Sequence, residues 1–472
     1  MTAVAQTSTL HRVLVANRGE IAVRIVRACR DEGVEVVVAV SDADQDSLAA
    51  RLADGIVHIG PPNPTQSYLR VGQIVCAALL AQCDAVHPGY GFLSEQPALA
   101  EACAANGLVF VGPGADVIRR GGDKVAARTA ARRAGVPIGA GSDTVKNVDA
   151  AIAIAADIGF PVLLKAAAGG GGRGMVRADD PAELATRFAV ASTEALSAFG
   201  DGRLYVERLV ENARHVEVQL LADTHGNIVH LGDRDCSLQR RYQKVLEEAP
   251  ATALPAALHH RLAEAAVALG RELDYVGAGT VEFLVDLDHD EFSFLEVNTR
   301  VQVEHPVTEM VTGVDIVREQ LRIAAGSPLS VTQDEVVVSG HSIECRINAE
   351  SVAAGFIPSP GRIVRWSPPE GPGIRLDTHV FTGYDVPPHY DSLLAKLIVG
   401  GTDRDDAIRN VRAALAAFEV DGVDTTVELH QRIVDHPDFR GNNVNTKWLE
   451  RVLLPDLASM SSTTRTETAG RG

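Results

Sequence analysis

Residues 12–40 read RVLVANRGEIAVRIVRACRDEGVEVVVAV, and their apolar pattern predicts a strand, a loop, a helix and a second strand. The first and last segments are apolar and rich in β-branched residues, which is typical of strands buried on both faces. The middle segment has the apolar spacing of an amphipathic helix. A βαβ unit of this kind predicts a doubly wound parallel sheet at the N-terminal end, and hence a chain of the α/β class.

The rest of the chain divides where this pattern changes. We expect a Rossmann-like domain at 1–121, a second domain at 122–334 with a small subdomain at about 140–210, and an α+β domain at 335–454. Helices are predicted at 147–157, 255–273 and 404–419, and a strand at 161–166. The Ser/Thr-rich stretch 455–472 is expected to be a disordered tail.

Composition excludes several classes of function. The chain of 472 residues has 62 acidic and 44 basic residues and a formal charge of −18, whereas nucleic-acid binders normally carry a basic excess. Its longest apolar stretch, 71–83, is shorter than the roughly 20 residues that cross a bilayer. The N-terminus has no hydrophobic signal core. We therefore expect a cytoplasmic protein with no nucleic-acid or membrane partner, whose six scattered cysteines stay reduced.

Lysine is rare in this chain, since only 6 of the 44 basic residues are Lys. Mutational bias in a GC-rich genome explains the scarcity. Where either Arg or Lys is tolerated, such bias favours Arg, so each remaining Lys is a candidate for a position that requires a compact ammonium group.

A glycine-rich run follows one of these lysines. In PVLLKAAAGGGGRGM at 161–175, Lys165 ends a predicted strand, and five of the six residues at 169–174 are glycine. The backbone N–H groups of such a loop can approach phosphate oxygens, and a strand lysine can reach an α- or β-phosphate. The alternative is a flexible hairpin tip without a ligand.

A second motif, EFSFLEVNTRVQVE at 291–304, alternates with period two. If the chain stays extended, the face opposite its apolar row carries five polar residues: Glu296, Asn298, Arg300, Gln302 and Glu304. Glu282 lies on an upstream strand joined by a predicted turn at 287–290, so Glu282 and Glu296 are expected on neighbouring strands. Paired carboxylates beside an amide favour Mg²⁺ or Mn²⁺. A solvated strand face with cross-strand charge pairs is the alternative.

The stretch RDCSLQRRYQKVLEEAP at 234–250 predicts a local basic cluster in an otherwise acidic chain. Its members are Arg234, Arg240, Arg241 and Lys244, which together indicate an anionic ligand or, alternatively, a solvated basic turn. His215 in RHVEVQ and Arg346 in ECRINAE are weaker signals, because single residues of these types are more often structural.

Taken together, these motifs resemble the ATP-grasp superfamily, and within it the biotin carboxylase component of biotin-dependent carboxylases. The resemblance covers about residues 11–453 and is specific because several motifs are long. It is carried by ANRGEIA at 16–22, HPGYGFLSE at 87–95, GDK at 122–124, KAAAGGGGRGM at 165–175, RHVEVQ at 214–219, RDCSLQRRYQKVLEEAP at 234–250, EVNTRVQVEHPVTEMVTG at 296–313, ECRINAE at 344–350, FIPSPGR at 356–362 and YDSLLAKLI at 390–398.

The resemblance implies a nucleotide site and a metal site. The ATP contacts would come from the two motif lysines, the glycine-rich lid, the segment that holds adenine through its backbone, and three further side chains: Lys124, Lys165, Gly170, Gly171, Gly172, Gly174, Glu207, Arg208, Leu209, Val210, His215, Tyr242 and Glu282. Two Mg²⁺ or Mn²⁺ ions would be held by Glu282, Glu296 and Asn298.

The resemblance also implies the reacting groups. Bicarbonate would be bound by Lys244, Arg300, Gln302 and Val303, and Glu304 would be the general base that deprotonates it. Arg346 would bind biotin and stabilise its enolate. The catalytic set is therefore Lys244, Arg300, Glu304 and Arg346. Tyr242 stands where the family often has His, and Gly121 where it often has Met.

The implied reaction is ATP-dependent carboxylation of biotin N1′ by bicarbonate, through carboxyphosphate. No Met-Lys acceptor pair occurs and only about twenty residues follow the match, so we expect a separate subunit that acts on a biotin carboxyl carrier protein. A carboxyltransferase partner and a homodimer are implied as well, in an acetyl-CoA or other acyl-CoA carboxylase. The alternatives are a subunit of a pyruvate or other keto-acid carboxylase, another ATP-grasp carboxylating ligase, and a non-catalytic nucleotide sensor.

Overall fold

The computed structural model describes residues 10–142, 144–168 and 174–457. The predicted nucleotide contacts at Gly170, Gly171 and Gly172 lie outside the described residues, as does most of the predicted tail. Residues 454–457 are helical, and Leu457 packs against the C-terminal core, so helix extends into the stretch where the sequence predicts a tail.

The N-terminal part is built on a five-stranded sheet whose strands all pair in parallel, in the order β3-β2-β1-β4-β5. The strands are β1 (Arg12–Val15), β2 (Glu35–Ser41), β3 (Gly55–Gly60), β4 (Ala85–His87) and β5 (Val109–Phe110). The predicted βαβ unit at 12–40 and the predicted parallel sheet are confirmed. The helices are α1 (Gly19–Asp31), α2 (Leu48–Leu52), α3 (Val71–Leu80), α4 (Pro97–Ala105), α5 (Ala115–Gly122) and α6 (Lys124–Arg133).

A small antiparallel sheet with two helices follows. Its strands, in the order β7-β6-β8, are β6 (Val162–Ala166), β7 (Met175–Ala178) and β8 (Leu204–Arg208), and its helices are α7 (Val148–Ile158) and α8 (Pro181–Phe199). The predicted helix at 147–157 and strand at 161–166 are confirmed with a shift of one residue. Side chains of Asn147 and Asp180 accept hydrogen bonds from backbone N–H groups of the first turns of α7 and α8, which fixes where the helices begin.

The largest sheet has eight antiparallel strands in the order β13-β12-β9-β10-β11-β14-β21-β19. Its first five strands along the chain, with the helices between and after them, are β9 (Ala213–Ala222), β10 (Ile228–Arg240), β11 (Gln243–Ala249), α9 (Ala256–Glu272), β12 (Gly277–Asp286), β13 (Glu291–Asn298), α10 (His305–Thr312) and α11 (Ile316–Ala324). The predicted long helix at 255–273 is therefore confirmed as α9.

The C-terminal elements complete this sheet and cover one of its faces. They are β14 (His341–Asn348), β15 (Glu350–Ser351), β16 (Ile357–Pro358), β17 (Gly361–Arg362), β18 (Arg365–Ser367), β19 (Ile374–Thr378), β20 (Asp385–Val386), β21 (Leu393–Gly401), α12 (Arg404–Ala416), β22 (Glu419–Asp421), α13 (Val427–Asp435) and α14 (Pro437–Arg440). The helix predicted at 404–419 is confirmed as α12, which buries an apolar face against the core and ends at Ala416.

The prediction of one continuous strand through Glu304 is wrong. Strand β13 ends at Asn298, and the amide of Thr299 donates to the side chain of Glu95 instead of to a neighbouring strand. From there the chain turns into α10, with Glu304 immediately before the first helical residue. The alternating residues therefore belong partly to β13 and partly to an irregular segment, and the polar side chains of both face the same space.

Gly121 allows a close contact between α5 and this segment. A Cβ atom at Gly121 would lie 2.7 Å from the Thr299 methyl group and 3.2 Å from Val297. A larger residue there would have to push α5 away from the end of β13, so glycine at this departure from the family pattern is explained by packing.

None of the helices in the described part of the chain is long and apolar enough to cross a membrane.

Candidate active site

A cavity with a volume of about 700 Å³, the main cavity below, lies between the N-terminal sheet and the eight-stranded sheet. The loops after β1 and β4 line it with Asn17, Arg18 and Tyr90. These two strands are where the order of the parallel sheet reverses, and ligands of such sheets bind at the carboxyl ends of strands at this point. The fold therefore places the cavity where an α/β sheet is best suited to bind a ligand.

Lys244 lies at the centre of the cavity wall, on β11, with its side chain 12 % exposed. Its Nζ atom is 2.5 Å from Glu217, 2.9 Å from Glu282 and 2.5 Å from Glu304. Burial would lower the pKa of Lys244, but the three carboxylates outweigh it and raise that pKa well above its ordinary value. Lys244 is therefore a fixed positive charge.

Glu304 lies between two cations. Its Oε1 contacts the ammonium of Lys244, and its Oε2 is 3.1 Å from Nη2 of Arg346. Burial would raise the pKa of Glu304, but Lys244 and Arg346 hold it below its ordinary value. Glu304 is therefore ionised at neutral pH and able to accept a proton from a group in the cavity.

Arg346, on β14, is anchored from behind by a second carboxylate. Its Nε donates to Oε1 of Glu247 at 2.6 Å, and the side chain of Glu247 is fully buried. Burial raises the pKa of Glu247 to about 7, although Arg346 opposes the shift. The guanidinium is thus held in one orientation, with one edge towards Glu304 and the cavity.

Arg300 and its neighbours form the adjoining part of the wall. Arg300 donates to Oε1 of Gln302 at 2.7 Å and to Oδ1 of Asn298 at 3.0 Å, and its Nε lies 3.0 Å from Glu95. The four predicted bicarbonate-site residues all line this cavity: Lys244, Arg300, Gln302 and Val303. Together they present two cations, an amide and a main-chain segment to one small volume, which suits an oxyanion.

The residues predicted to bind metal are also together. Glu282 and Glu296 pair directly across β12 and β13, as the turn at 287–290 predicts. Glu282 accepts a hydrogen bond from Asn298 at 3.0 Å and lies 3.0 Å from Nε2 of His215. Burial and the charge of Glu282 raise the pKa of Glu296. Two neighbouring carboxylates, one buried and one half-buried, offer oxygen ligands that fit a hard divalent cation, while the amide oxygen of Asn298 accepts from Arg300.

A second group of possible ligand atoms adjoins this pair. His215, Glu217 and Glu282 each offer an atom within 4.8 Å of the others. Burial would lower the pKa of His215, but the charge of Glu282 outweighs it and raises that pKa. His215 Nδ1 is held by Gln239 at 2.7 Å, which fixes the ring.

The two lysines predicted to contact phosphate lie outside the main cavity. Lys165 is paired with Glu207, which also binds Arg128 at 2.7 Å. Lys124 lines a second cavity of about 380 Å³ together with Ala167, Ala168 and Arg203. In the sequence, the glycine-rich run predicted to close over the nucleotide directly follows Ala168.

In the segment predicted to hold adenine, both side chains and main chain have partners elsewhere in the fold. Glu207 and Arg208 are the last residues of β8, and Glu207 uses its side chain for the ion pairs above. The amide of Leu209 donates to the carbonyl of Pro161. Gly174 has a φ of +74°, and its carbonyl oxygen accepts a hydrogen bond from the amide of Ala166. This hydrogen bond lies immediately before the return strand β7.

Tyr242 forms the tip of the β10–β11 hairpin with Arg241. Both residues have positive φ, 50° for Arg241 and 65° for Tyr242, and Tyr242 is exposed at the edge of the main cavity. It is therefore placed to contact a bound ligand.

The predicted basic cluster at 234–244 is divided by the fold: Arg240 and Lys244 line the main cavity, whereas Arg234 and Arg241 do not. Arg234 is fully buried inside the sheet, where it donates to Glu217 and Gln219. The guanidinium of Arg240 lies 3.9 Å from the ring centre of Phe356. Arg234 and Lys244 nevertheless lie close together, because Glu217 accepts a hydrogen bond from each of them.

Sequence reasoning missed two buried carboxylates. Glu217 lies between Arg234 and Lys244, and Glu247 holds Arg346. Both lie in quoted motifs, RHVEVQ and RRYQKVLEEAP, and Glu217 shares a strand face with His215 through period-two spacing. That spacing was the available signal.

Three family models match the chain in order. They are "Biotin carboxylase, N-terminal domain" at residues 9–118, "Carbamoyl-phosphate synthase L chain, ATP binding domain" at 123–332 and "Biotin carboxylase C-terminal domain" at 344–451. The fold and the site therefore define an ATP-grasp ligase with a carboxylate-and-lysine centre beside an oxyanion subsite.

Named relatives make the assignment specific. The chain is 49 % identical over 442 residues to a biotin carboxylase of Nostoc sp., covering 93 % of this chain and 99 % of that one. It belongs to the biotin carboxylase family, and the predicted family and fold class are confirmed. Biotin carboxylases are ligases that carboxylate carrier-borne biotin with ATP and bicarbonate, so a biotin carrier is the partner that this activity requires.

Solved structures agree with this assignment. A biotin carboxylase–β-γ-ATP complex from Campylobacter jejuni has a TM-score of 0.90 and 43 % identity, covering 94 % of this chain and 99 % of that one. The biotin carboxylase domain dimer of Hydrogenobacter thermophilus 2-oxoglutarate carboxylase, with MgADP, ADP and bicarbonate, has a TM-score of 0.89 and 45 % identity, covering 94 % and 97 %.

Proposed function

We propose that this chain catalyses the first half-reaction of an acetyl-CoA or other acyl-CoA carboxylase, with Glu304 as its general base. The observation that carries the proposal is the position of Glu304 between Lys244 and Arg346, on the wall of the main cavity. A buried, ionised carboxylate beside an oxyanion subsite is what deprotonation of bicarbonate requires.

Bicarbonate binds against Arg300, Gln302, Val303 and Lys244. Glu304 takes the proton of bicarbonate, and the charges of Arg300 and Lys244 offset that of the carbonate dianion that forms. A carbonate oxygen then attacks the γ-phosphorus of ATP. The bond from that phosphorus to the β–γ bridging oxygen breaks, so ADP leaves and carboxyphosphate remains.

Carboxyphosphate decomposes to CO₂ and phosphate in a site that must exclude water. The ureido N1′ of biotin captures the CO₂, and its proton passes to the phosphate released beside it. Arg346 lies where it can stabilise the negative charge on the ureido oxygen before capture. Glu247 fixes the guanidinium in that position.

Glu282, Glu296 and Asn298 are proposed to hold the magnesium ions that accompany ATP. The pair Glu282–Glu296 fits this role because burial and the charge of Glu282 raise the pKa of Glu296, and a divalent cation beside the two carboxylates would offset that repulsion. When bound, such ions neutralise phosphate charge along the triphosphate. His215 then lies beside Glu282 on the nucleotide side of the site.

The nucleotide is proposed to extend from the main cavity towards the second one. Lys124 and Lys165 would contact phosphates, Gly170, Gly171, Gly172 and Gly174 would cover them, and residues 207–210 would hold adenine. Tyr242 would contact the nucleotide from the hairpin tip. The division at 121/122 and 334/335, and the lid at 140–210, are proposed as domain boundaries on the same basis.

The final acceptor is proposed to be an acyl-CoA, through a separate carboxyltransferase and a biotin carboxyl carrier protein. This proposal is supported by the Nostoc relative, which is named a biotin carboxylase and which this chain matches over 99 % of its length. The structural likeness to a domain of 2-oxoglutarate carboxylase favours a keto-acid acceptor as the second candidate. That same structure is a dimer, which supports a homodimer here.

The activity is tested by ADP release from the purified chain. We expect hydrolysis of ATP that depends on bicarbonate and is accelerated by free biotin. Bicarbonate-dependent hydrolysis that biotin does not stimulate would favour another ATP-grasp carboxylating ligase. The acceptor is tested separately, by copurifying the partner subunits and comparing acetyl-CoA, propionyl-CoA, pyruvate and 2-oxoglutarate as substrates for incorporation of labelled bicarbonate.

A further inference from the structure

Lys396 is a motif lysine that the proposed chemistry does not use. It lies in YDSLLAKLI at 390–398, on β21, which pairs with β14 on one side and β19 on the other. Its side chain is fully buried. An ammonium group removed from water is costly unless acceptors surround it, so a buried lysine needs a specific set of partners.

Three acceptors surround the ammonium of Lys396, and each comes from a different part of the fold. The carbonyl oxygen of Val303 accepts a hydrogen bond at 2.9 Å. The carboxylate of Glu20, in the first turn of α1, lies at 3.1 Å, and that of Asp377, on β19, lies at 3.8 Å. A compact group with three protons matches this arrangement, whereas the planar fork of Arg does not.

The contact with Val303 reaches the oxyanion subsite directly. Val303 lies between Gln302 and the proposed base Glu304, in the irregular segment that follows β13. Among the described residues, no strand pairs with this segment, because β13 has already ended at Asn298. The hydrogen bond from Lys396 fixes the peptide plane between Val303 and Glu304.

Glu20 extends the same network to the opposite wall of the cavity. The hydroxyl of Tyr90 donates to the Oε1 atom that also faces Lys396. Tyr90 lines the main cavity on the loop after β4, opposite the segment that carries Val303. One buried carboxylate thus connects both walls to the same ammonium.

We propose that Lys396 is a positioning residue for bicarbonate: by holding the carbonyl of Val303 from behind, it fixes the main chain that presents Gln302, Val303 and Glu304 to the anion. This inference rests on the proposed function and deepens it. Glu20 and Asp377 serve to keep the ammonium in place, and neither touches the reacting atoms.

The test compares Lys396→Met and Glu20→Gln with Lys146→Met, which removes an exposed lysine. Bicarbonate-dependent ATP hydrolysis is measured as the KM for bicarbonate and the KM for ATP, with the melting temperature as a check on folding. For Lys396→Met we expect the KM for bicarbonate to rise about 10- to 100-fold, by analogy with the loss of a partner that orients a metal ligand, while the KM for ATP stays within about twofold. Glu20→Gln should show the same split with a smaller amplitude.

A purely structural role predicts a different result. If folded Lys396→Met keeps the wild-type KM for bicarbonate, or if both KM values rise together, the proposal is overturned. If Lys396→Met does not fold, Glu20→Gln decides by the same criterion, since Gln keeps the volume of Glu. A wild-type chain without bicarbonate-dependent hydrolysis would instead overturn the proposed function itself.

Discussion

The guanidinium of Arg346 lies 3.1 Å from the carboxylate of Glu304, although the two residues are 42 positions apart in the chain. Lys244 contacts the other oxygen of the same carboxylate, and Glu247 anchors Arg346 from behind. A proton acceptor and two cations are thus held on one wall before any substrate binds. Preorganised charge of this kind needs no rearrangement when negative charge develops on a bound anion.

Replacing the proposed base should separate binding from turnover. Glu304→Gln keeps the size of the side chain but removes its ability to accept a proton, so bicarbonate-dependent ATP hydrolysis should fall by about 100-fold or more. ATP binding, measured by calorimetry, should persist. Turnover close to wild type in this variant would remove Glu304 as the base.

Arg346 should matter most for the biotin step. In Arg346→Lys, a single ammonium cannot reproduce the fork that bridges Glu247 and Glu304, so formation of carboxybiotin should fall by about 100-fold. Bicarbonate-dependent ATP hydrolysis without biotin should fall much less. Equal losses in both assays would show that Arg346 acts in the common first step instead.

The two proposed phosphate lysines should not tolerate arginine. Lys165 is almost fully buried against Glu207, where a larger guanidinium would have to displace its neighbours, and Lys124 lines the second cavity, where a planar fork cannot present the same compact charge. We expect Lys124→Arg and Lys165→Arg each to raise the KM for ATP by about tenfold, the equivalent of one lost charged hydrogen bond. Lys146→Arg, at an exposed position, is the control. Wild-type kinetics in both test variants would refute the phosphate role.

Glu296→Gln should weaken the binding of Mg²⁺ at the proposed metal site. The amide is a poorer ligand for Mg²⁺ than the carboxylate, so the Mg²⁺ concentration for half-maximal ATP hydrolysis should rise about tenfold or more. Glu264→Gln is a control, because Glu264 lies exposed on α9 and is outside the proposed site. An unchanged Mg²⁺ dependence in Glu296→Gln would place the metal elsewhere.

A carboxylate outside the cavity links stability to pH. Burial would raise the pKa of Glu248, but a hydrogen bond from His341 and the charge of Arg404 outweigh it and hold that pKa at about 2. Because the folded-state pKa is below the ordinary value of 4.5, the stabilisation is fully present above pH 4.5 and is lost as the pH falls towards 2.

This contribution is measurable by urea unfolding. Glu248→Gln should lower the free energy of unfolding by about 3 kcal/mol at pH 7, and the difference from wild type should shrink as the pH is lowered below 4.5. Glu428→Gln, at an exposed pair, should show no such dependence. A constant difference between pH 7 and pH 4 would contradict the assigned ion pairs.

Local pattern in the sequence was sufficient for much of the fold. The βαβ unit at 12–40, the helices α7 and α9 and the pairing of Glu282 with Glu296 all follow from periodicity or from a short turn. In each case the residues that interact are near one another in the chain, so spacing alone constrains which side chains face each other.

Other relationships depended on distant segments. The sequence could not show that Arg234 turns into the sheet to meet Glu217, or that β13 stops at Asn298 because Thr299 bonds to Glu95. Both outcomes come from contacts across many residues, which override the local alternation on which the prediction of a continuous polar face relied.

By itself, the sequence determined the class of the fold, the family and the residue types of the site, because long motifs and regular spacing are local properties of the chain. Only the tertiary structure decided which charges neutralise one another. Lys396 illustrates the difference: its motif marked it, but its role follows from Glu20, Val303 and Asp377, which three separate segments bring to one buried ammonium. A charge removed from water must be balanced by whatever the packed fold places beside it, and that balance has no signature in sequence spacing.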